Sequence, residues 1–239
     1  MYQNAILEPI PSQLRLSLNI ENVDSLFPGF MFGDFAVLRG SSAVQSFLSC
    51  MCVRAQLPYQ LGGLETGVLF VDGGNSFRFY DVSAFAQTCE LDPKEVLERI
   101  FVSRAFTAYQ LTSLIFENLQ SAIEKCDSKV VILYNLAQLF LDDDVPKKEE
   151  QEVFLQLTAY LADFAKKNSV ILVATHPPRF WSKRSRFFEG VLCGRANVVE
   201  AIRKFRNRPH FVLEKHSSFK LGKAEFPSEK VTLADFMEA

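Results

Sequence analysis

Leu38-Arg39-Gly40-Ser41-Ser42-Ala43-Val44-Gln45-Ser46-Phe47-Leu48 is the stretch whose reading decides the fold. An apolar, strand-like run (Phe35 to Leu38) precedes it, and a helix-like run through Val53 follows. A strand, a tight turn and a helix in that order is where an α/β nucleotide-binding domain carries its phosphate loop. The working loop reads G-x-x-x-x-G-K-[ST]. Its glycines let backbone N–H groups close on the phosphates, its Lys meets their charge, and its hydroxyl holds Mg²⁺. Gly40 takes the first position. Gln45 then stands where the second Gly belongs, Ser46 where Lys belongs, and Phe47 where Ser or Thr belongs. The stretch has the location of the loop without its chemistry.

Outward from this point, strands and helices alternate. Gly67–Asp72, Lys129–Leu133 and Val170–Ala174 are continuous apolar runs, the pattern of parallel strands buried on both faces. Ile100–Arg104 reads as a further short strand. Val44–Ala55, Val82–Thr88, Pro93–Arg99, Ala108–Lys125 and Val153–Lys167 read as helices, the third opened by Asp92-Pro93. Strands 25–40 residues apart with helices between them imply a mostly parallel sheet with helices on both faces. Beyond Pro177-Pro178, Asn197–Phe205 and His210–Glu214 read as a C-terminal β-hairpin at the sheet edge. The expected fold class is α/β, one domain over residues 1–239. Residues 1–34 form a lead-in strand and turn, and residues 217–239 a polar tail with a last helix over Val231–Met237.

Composition narrows the setting. The chain has 239 residues, 48% hydrophobic and 23% charged, in the range of a globular protein. A net charge of −2 selects no partner. The 23 Phe imply a large aromatic core or a sticky surface. No run of 18 apolar residues suggests a membrane span, and Met1 to Asn4 do not open a signal peptide. Five Cys without C-x-x-C spacing and three scattered His suggest buried thiols in a reducing cytoplasm and no zinc site.

Five stretches then line up in order: Cys52–Pro58, Val71–Arg78, Ser103–Thr107, Val131–Asn135 and Ala174–Pro177. The segments Asp72-x-x-x-x-Phe77-Arg78 and Arg104-Ala105-Phe106 are the most specific. Together they resemble the ATPase core of the RecA/RadA recombinase family, RadA-type paralogues first and KaiC-like ATPases second, over roughly residues 23–216. The resemblance implies a RecA-like core. It also implies an acidic catalytic residue two positions after Asp72, a Mg²⁺-organising Asp at the end of the next core strand, and a polar γ-phosphate sensor after the later strand. Gly74 and Tyr134 stand at the first two positions, and Pro177, beside His176, near the third. With Gln45, Ser46 and Phe47, nearly every residue that would touch ATP, Mg²⁺ or attacking water is replaced. Phosphoryl transfer depends on positioned charge and metal. The expectation is a pseudo-ATPase with no cofactor and no metal, in which the Phe47 ring fills the space a phosphate needs.

Charge marks the other candidate surface. Residues 142–152 hold six acids against Lys147 and Lys148, which repels phosphate. Residues 178–208 hold nine Lys or Arg against Glu189 and Glu200. Arg179, Phe180, Trp181, Lys183, Arg184 and Arg186 mix cations with rings, a composition suited to single-stranded DNA. The same composition suits a protein interface with Trp181, Phe187 and Phe188 buried. The expected function is a non-catalytic accessory factor in homologous recombination or DNA repair. It would bind DNA, a recombinase or another RadA-type paralogue, as a homo- or hetero-oligomer. The alternatives are a scaffold without nucleic-acid contact and a divergent ATPase.

Overall fold

Six consecutive buried residues, Gly67 to Asp72, form β4, one strand in from an edge of the sheet. A computed structural model describes residues 14–40, 43–141, 147–176, 182–206 and 208–226. In chain order the elements are β1 (Arg15–Leu16), α1 (Glu21–Asp24), β2 (Phe30–Met31), β3 (Phe35–Gly40), α2 (Ala43–Arg54), β4 (Gly67–Asp72), α3 (Phe79–Thr88), α4 (Pro93–Glu98) and β5 (Ile100–Arg104). There follow α5 (Ala108–Ser113), a π turn (Leu114–Asn118), α6 (Leu119–Lys125), β6 (Ser128–Tyr134), α7 (Lys147–Asn168), β7 (Ile171–His176), α8 (Lys183–Arg195), β8 (Val198–Phe205), β9 (Arg208–Lys215) and β10 (Gly222–Glu225).

Eight strands make one sheet in the order β10-β9-β8-β3-β7-β6-β4-β5. From β8 to β5 every pairing is parallel; β9 and β10 run antiparallel. The architecture is the expected one: a mostly parallel sheet with a hairpin at one end. One core lies under α2, α3 and α4 and takes in Phe27, Phe30 and Phe211. The other lies under the α5–α6 helix, α7 and α8. Ten of the twelve α2 residues are buried, because this helix is enclosed by the sheet on one side and by α3 on the other.

Four details differ from the sequence reading. The helix over Ala108–Lys125 contains the π turn at Leu114–Asn118. From Leu111 onward its buried residues, Leu111, Ile115, Leu119 and Ile123, fall four apart. Each such step overshoots a 3.6-residue turn by about 40°, and the wider π turn takes up that drift. The lead-in strand is only Arg15–Leu16, paired with β2, because Asn19 turns with φ of 57°. The segment after Pro178 is not all loop: Lys183–Arg195 is helical, capped by Ser182, whose hydroxyl accepts from the Ser185 N–H at 3.0 Å. Finally, the polar tail begins with a strand. β10 pairs with β9, and Phe226 is buried behind it. The expected helix over Val231–Met237 lies outside the described residues, as do the acids Asp142 to Asp144.

Candidate functional site

The carboxyl ends of β3, β4, β6 and β7 are where an open parallel sheet places its ligand crevice. At β3 the chain closes on itself. Gly40 has φ of +144°, and a Cβ there would meet the Ile202 carbonyl oxygen at 2.4 Å. The neighbouring strand therefore requires this glycine, whatever the loop binds. Two residues separate Gly40 from the first residue of α2. Residues 41 and 42, which would complete the loop, lie outside the described residues.

Helix register corrects the expected role of Phe47. Its ring is fully buried in the core beneath the sheet, stacked on Phe211 of β9 at 6.3 Å and 21°. It does not fill the crevice. Ser46 is also buried, and its hydroxyl reaches the Asp81 carboxylate at 3.4 Å. Gln45 is the residue of the three that lines the crevice, donating to the Ser76 carbonyl at 3.3 Å.

Tyr134 stands at the end of β6. It stacks on Phe70 (6.2 Å, 29°), which Phe77 meets edge-on at 5.0 Å. The space left among Gln45, Ser49, Ser76, Arg78 and Tyr134 is about 10 Å³. That is room for about one water molecule, against roughly 300–1,000 Å³ for an ordinary small-molecule site. A side chain at Gly74 would meet Asn135 Nδ2 at 2.9 Å and Tyr134 Cε1 at 3.3 Å, so the place of the expected acid is occupied too. Asp72 is fully buried and accepts from the N–H groups of Gly74, Ser76 and Phe77 at 3.0, 2.7 and 2.9 Å. Its carboxylate is committed to holding that turn.

Around β3 and β7 the charges are paired internally. Arg39, next to Gly40, reaches Glu189 of α8 at 2.6 Å and Glu214 of β9 at 2.5 Å, and Arg203 also binds Glu214. His176 lies opposite Arg39 in the sheet register. It is buried, with Nε2 at 3.1 Å from the Ser185 hydroxyl. Burial holds its pKa below the ordinary imidazole value, with Glu189 opposing and Arg39 reinforcing the shift, so it is neutral at pH 7. Sequence reasoning missed Arg39, because a cation before the first glycine matches no motif.

The basic segment divides. Arg179, Phe180 and Trp181 lie outside the described residues, as does Pro177. Lys183 and Arg186 are exposed on α8, with no acidic partner among the described residues. Arg184 corrects the sequence reading. Its guanidinium binds the buried carboxylate of Glu150, with Nε at 3.0 Å and Nη2 closer, and donates to the Phe140 carbonyl at 2.8 Å. It joins α8 to α7 and is not turned to a ligand. Phe188 is fully buried among Phe140 and Phe154.

The open surface is at the other side of the sheet. β5 pairs only with β4 among the described residues. Phe101, Val102, Phe106 and Tyr109 are exposed there, beside a groove of about 550 Å³ lined by Leu69, Ser103, Tyr109, Gln110, Leu114 and Asn118. Its sequence signal was two consecutive apolar residues, Phe101 and Val102, in a short strand preceding a cation. No helix among the described residues is long and apolar enough to cross a membrane.

Comparison with known proteins agrees with this frame. The family model described as Rad51 matches residues 24–176. The chain is similar to the DNA repair and recombination protein RadA of Cenarchaeum symbiosum, 28% identical over 176 residues, which are 70% of this chain and 43% of that protein. It is 36% identical over 112 residues to RadA of Metallosphaera sedula, covering 46% of this chain and 32% of the relative. Against RadA of Aeropyrum pernix it is 26% identical over 134 residues, 53% of this chain and 40% of the relative. The matched stretch thus spans less than half of each of these relatives. With the family model covering most of the parallel sheet, the chain belongs to the Rad51 family.

Proposed function

We propose that this chain is a non-catalytic RadA-type accessory factor in homologous recombination and DNA repair, one that engages a recombinase or paralogue partner without cycling ATP. One observation supports the reading: among the described residues, the space between Gln45, Ser49, Ser76, Arg78 and Tyr134 is about 10 Å³, with Phe70 and Phe77 packed beside Tyr134. The residues around it carry neither a lysine nor a carboxylate free to organise a metal: Asp72 is capped by three backbone N–H groups, and Asp81 faces Ser46 and Arg78. A subunit built this way contributes a surface to an assembly and no nucleotide-driven release.

The partner surface we assign is the β5 edge. An unpaired strand offers a row of N–H and C=O groups to another chain, and the apolar groove beside it supplies side-chain anchoring. The reading as an assembly subunit without nucleic-acid contact draws on the inward turn of Arg184 and Phe188. Gel filtration of the chain mixed with a RadA recombinase tests the proposal. Co-elution that is the same with and without ATP·Mg²⁺ is expected. Co-elution that appears only with ATP would contradict the nucleotide-independent role, and separate elution under both conditions would remove the recombinase as partner.

A further inference from the structure

The antiparallel end of the sheet carries a surface that neither the crevice nor the β5 edge explains. The register pairs Arg203 with His210 and Phe205 with Arg208 between β8 and β9. Between β9 and β10 it pairs Val212 with Lys223 and His210 with Glu225. Directly opposed residues point to the same side of a sheet, and alternate residues of a strand share a face. Arg203, Phe205, Arg208, His210, Lys223 and Glu225 therefore share one face. The contacts agree: Lys223 Nζ lies 4.6 Å from the Phe205 ring centroid, and the His210 ring meets Phe205 edge-on at 5.1 Å. Arg208 and His210 reach Glu225 at 2.7 and 3.8 Å.

Phe205, Arg206, Arg208, His210, Lys223 and Glu225 line an open cleft of about 760 Å³. Arg206, Arg208 and Lys223 face a single carboxylate there, Glu225. Lys204 and Arg206 have no acidic partner among the described residues, and Phe205 is exposed among these cations. Cations alone would suit any polyanion. An exposed ring within the same sheet face adds a stacking platform, which an acidic peptide does not use and an unpaired base does.

We propose that this face binds single-stranded nucleic acid, with Arg206, Arg208 and Lys223 on phosphates and Phe205 against a base. Lys223 now covers the ring; a stacked base replaces that contact and frees the ammonium for a phosphate. The site is distinct from the basic residues of α8 and does not depend on whether the crevice holds nucleotide.

Fluorescence anisotropy with a labelled oligothymidylate of about 15 nucleotides, within the ~4–16-nucleotide site sizes of such surfaces, tests this over a series of salt concentrations. The full chain binds at low salt. Arg206→Ala with Lys223→Ala weakens binding at least about tenfold and lowers the salt slope by about 1.4, two phosphate contacts at ~0.7 each. Phe205→Ala weakens it about tenfold with the slope unchanged. Lys125→Ala with Lys129→Ala, exposed cations outside this face, leaves affinity as it was. All the substituted side chains are solvent-exposed, so an unchanged melting temperature is the check on folding. Absence of binding by the unmodified chain at low salt would overturn the proposal. So would wild-type affinity in the hairpin variants, or equal affinity for a labelled oligo-glutamate peptide.

Discussion

At the carboxyl ends of β4 and β6, Phe70, Phe77 and Tyr134 leave about 10 Å³ of space; at the β5 edge, 550 Å³ stands open beside exposed Phe101 and Phe106. Both regions are aromatic, and they differ in what the rings do. In the first, each ring has another ring or the core as its partner, and every nearby charge is paired within the chain. In the second, rings face solvent at a strand with an unused row of backbone groups. A frame whose ligand is a phosphate must keep polar groups unsatisfied until the ligand arrives. Replacing them with rings removes that cost, because buried apolar surface stabilises by about 25 cal/mol per Å². The exposed rings at the β5 edge gain no such burial within this chain, which is the basis of the partner surface proposed above.

The comparison is sharpest at Phe47. If this ring belongs to the core, Phe47→Ala costs about 3–5 kcal/mol, read in thermal or urea unfolding. Were it a plug in the phosphate site, the variant would be nearly as stable and would gain nucleotide affinity. Next in size is the Glu150–Arg184 pair. Glu150 is buried and Arg184 is its cation. Arg184→Ala leaves a buried carboxylate uncompensated, and about 3 kcal/mol of stability should be lost. Arg184→Met with Glu150→Gln should recover much of it. A stability change near zero in Arg184→Ala would return Arg184 to the ligand-facing surface.

A smaller effect, read against pH, comes from Glu200 on β8. It is fully buried with neither carboxylate oxygen hydrogen-bonded, and burial, with Asp34 adding to it, raises its pKa well above the ordinary 4.5. The folded chain therefore keeps this proton while the unfolded chain loses it. Stability is full below the ordinary value and falls as pH rises toward the raised one. Glu200→Gln should flatten that slope, measured as unfolding free energy from the ordinary carboxyl value of 4.5 upward. Persistence of the same slope in the variant would assign it to another group. Smallest in stability is Val102→Lys on β5, an exposed edge position, within about 0.5 kcal/mol as for other surface positions, yet it sets a charge on the edge and should abolish capture of a recombinase partner. Unaltered capture would place that partner elsewhere.

Much of the frame was legible because burial writes itself into composition. Gly67–Asp72 and Ile100–Arg104 form strands at the bounds their apolar runs suggested. The helix Lys183–Arg195 was hidden by its cations: only Phe188 and Leu192 mark its buried side, and Arg184 turns inward toward an acid far away in sequence. The short β10 was hidden for a similar reason, since Lys223 and Glu225 look solvated until the register with β9 is known. At the crevice, counting from Gly40 assigned the replaced positions, but counting cannot tell which way a helix faces. On α2, Phe47 falls on the core side and Gln45 at the opening. Tyr134 was visible as a missing carboxylate and not as a ring stacked on Phe70, because that stacking is a tertiary fact.

Titration calorimetry of the full chain with ATP·Mg²⁺ at millimolar concentration, repeated as a thermal shift, tests the closed crevice most directly. The expected result is no saturable heat and an unmoved melting temperature. A stoichiometric, Mg²⁺-dependent heat with a rise in melting temperature would contradict it, since a ligand that binds the folded chain must stabilise it.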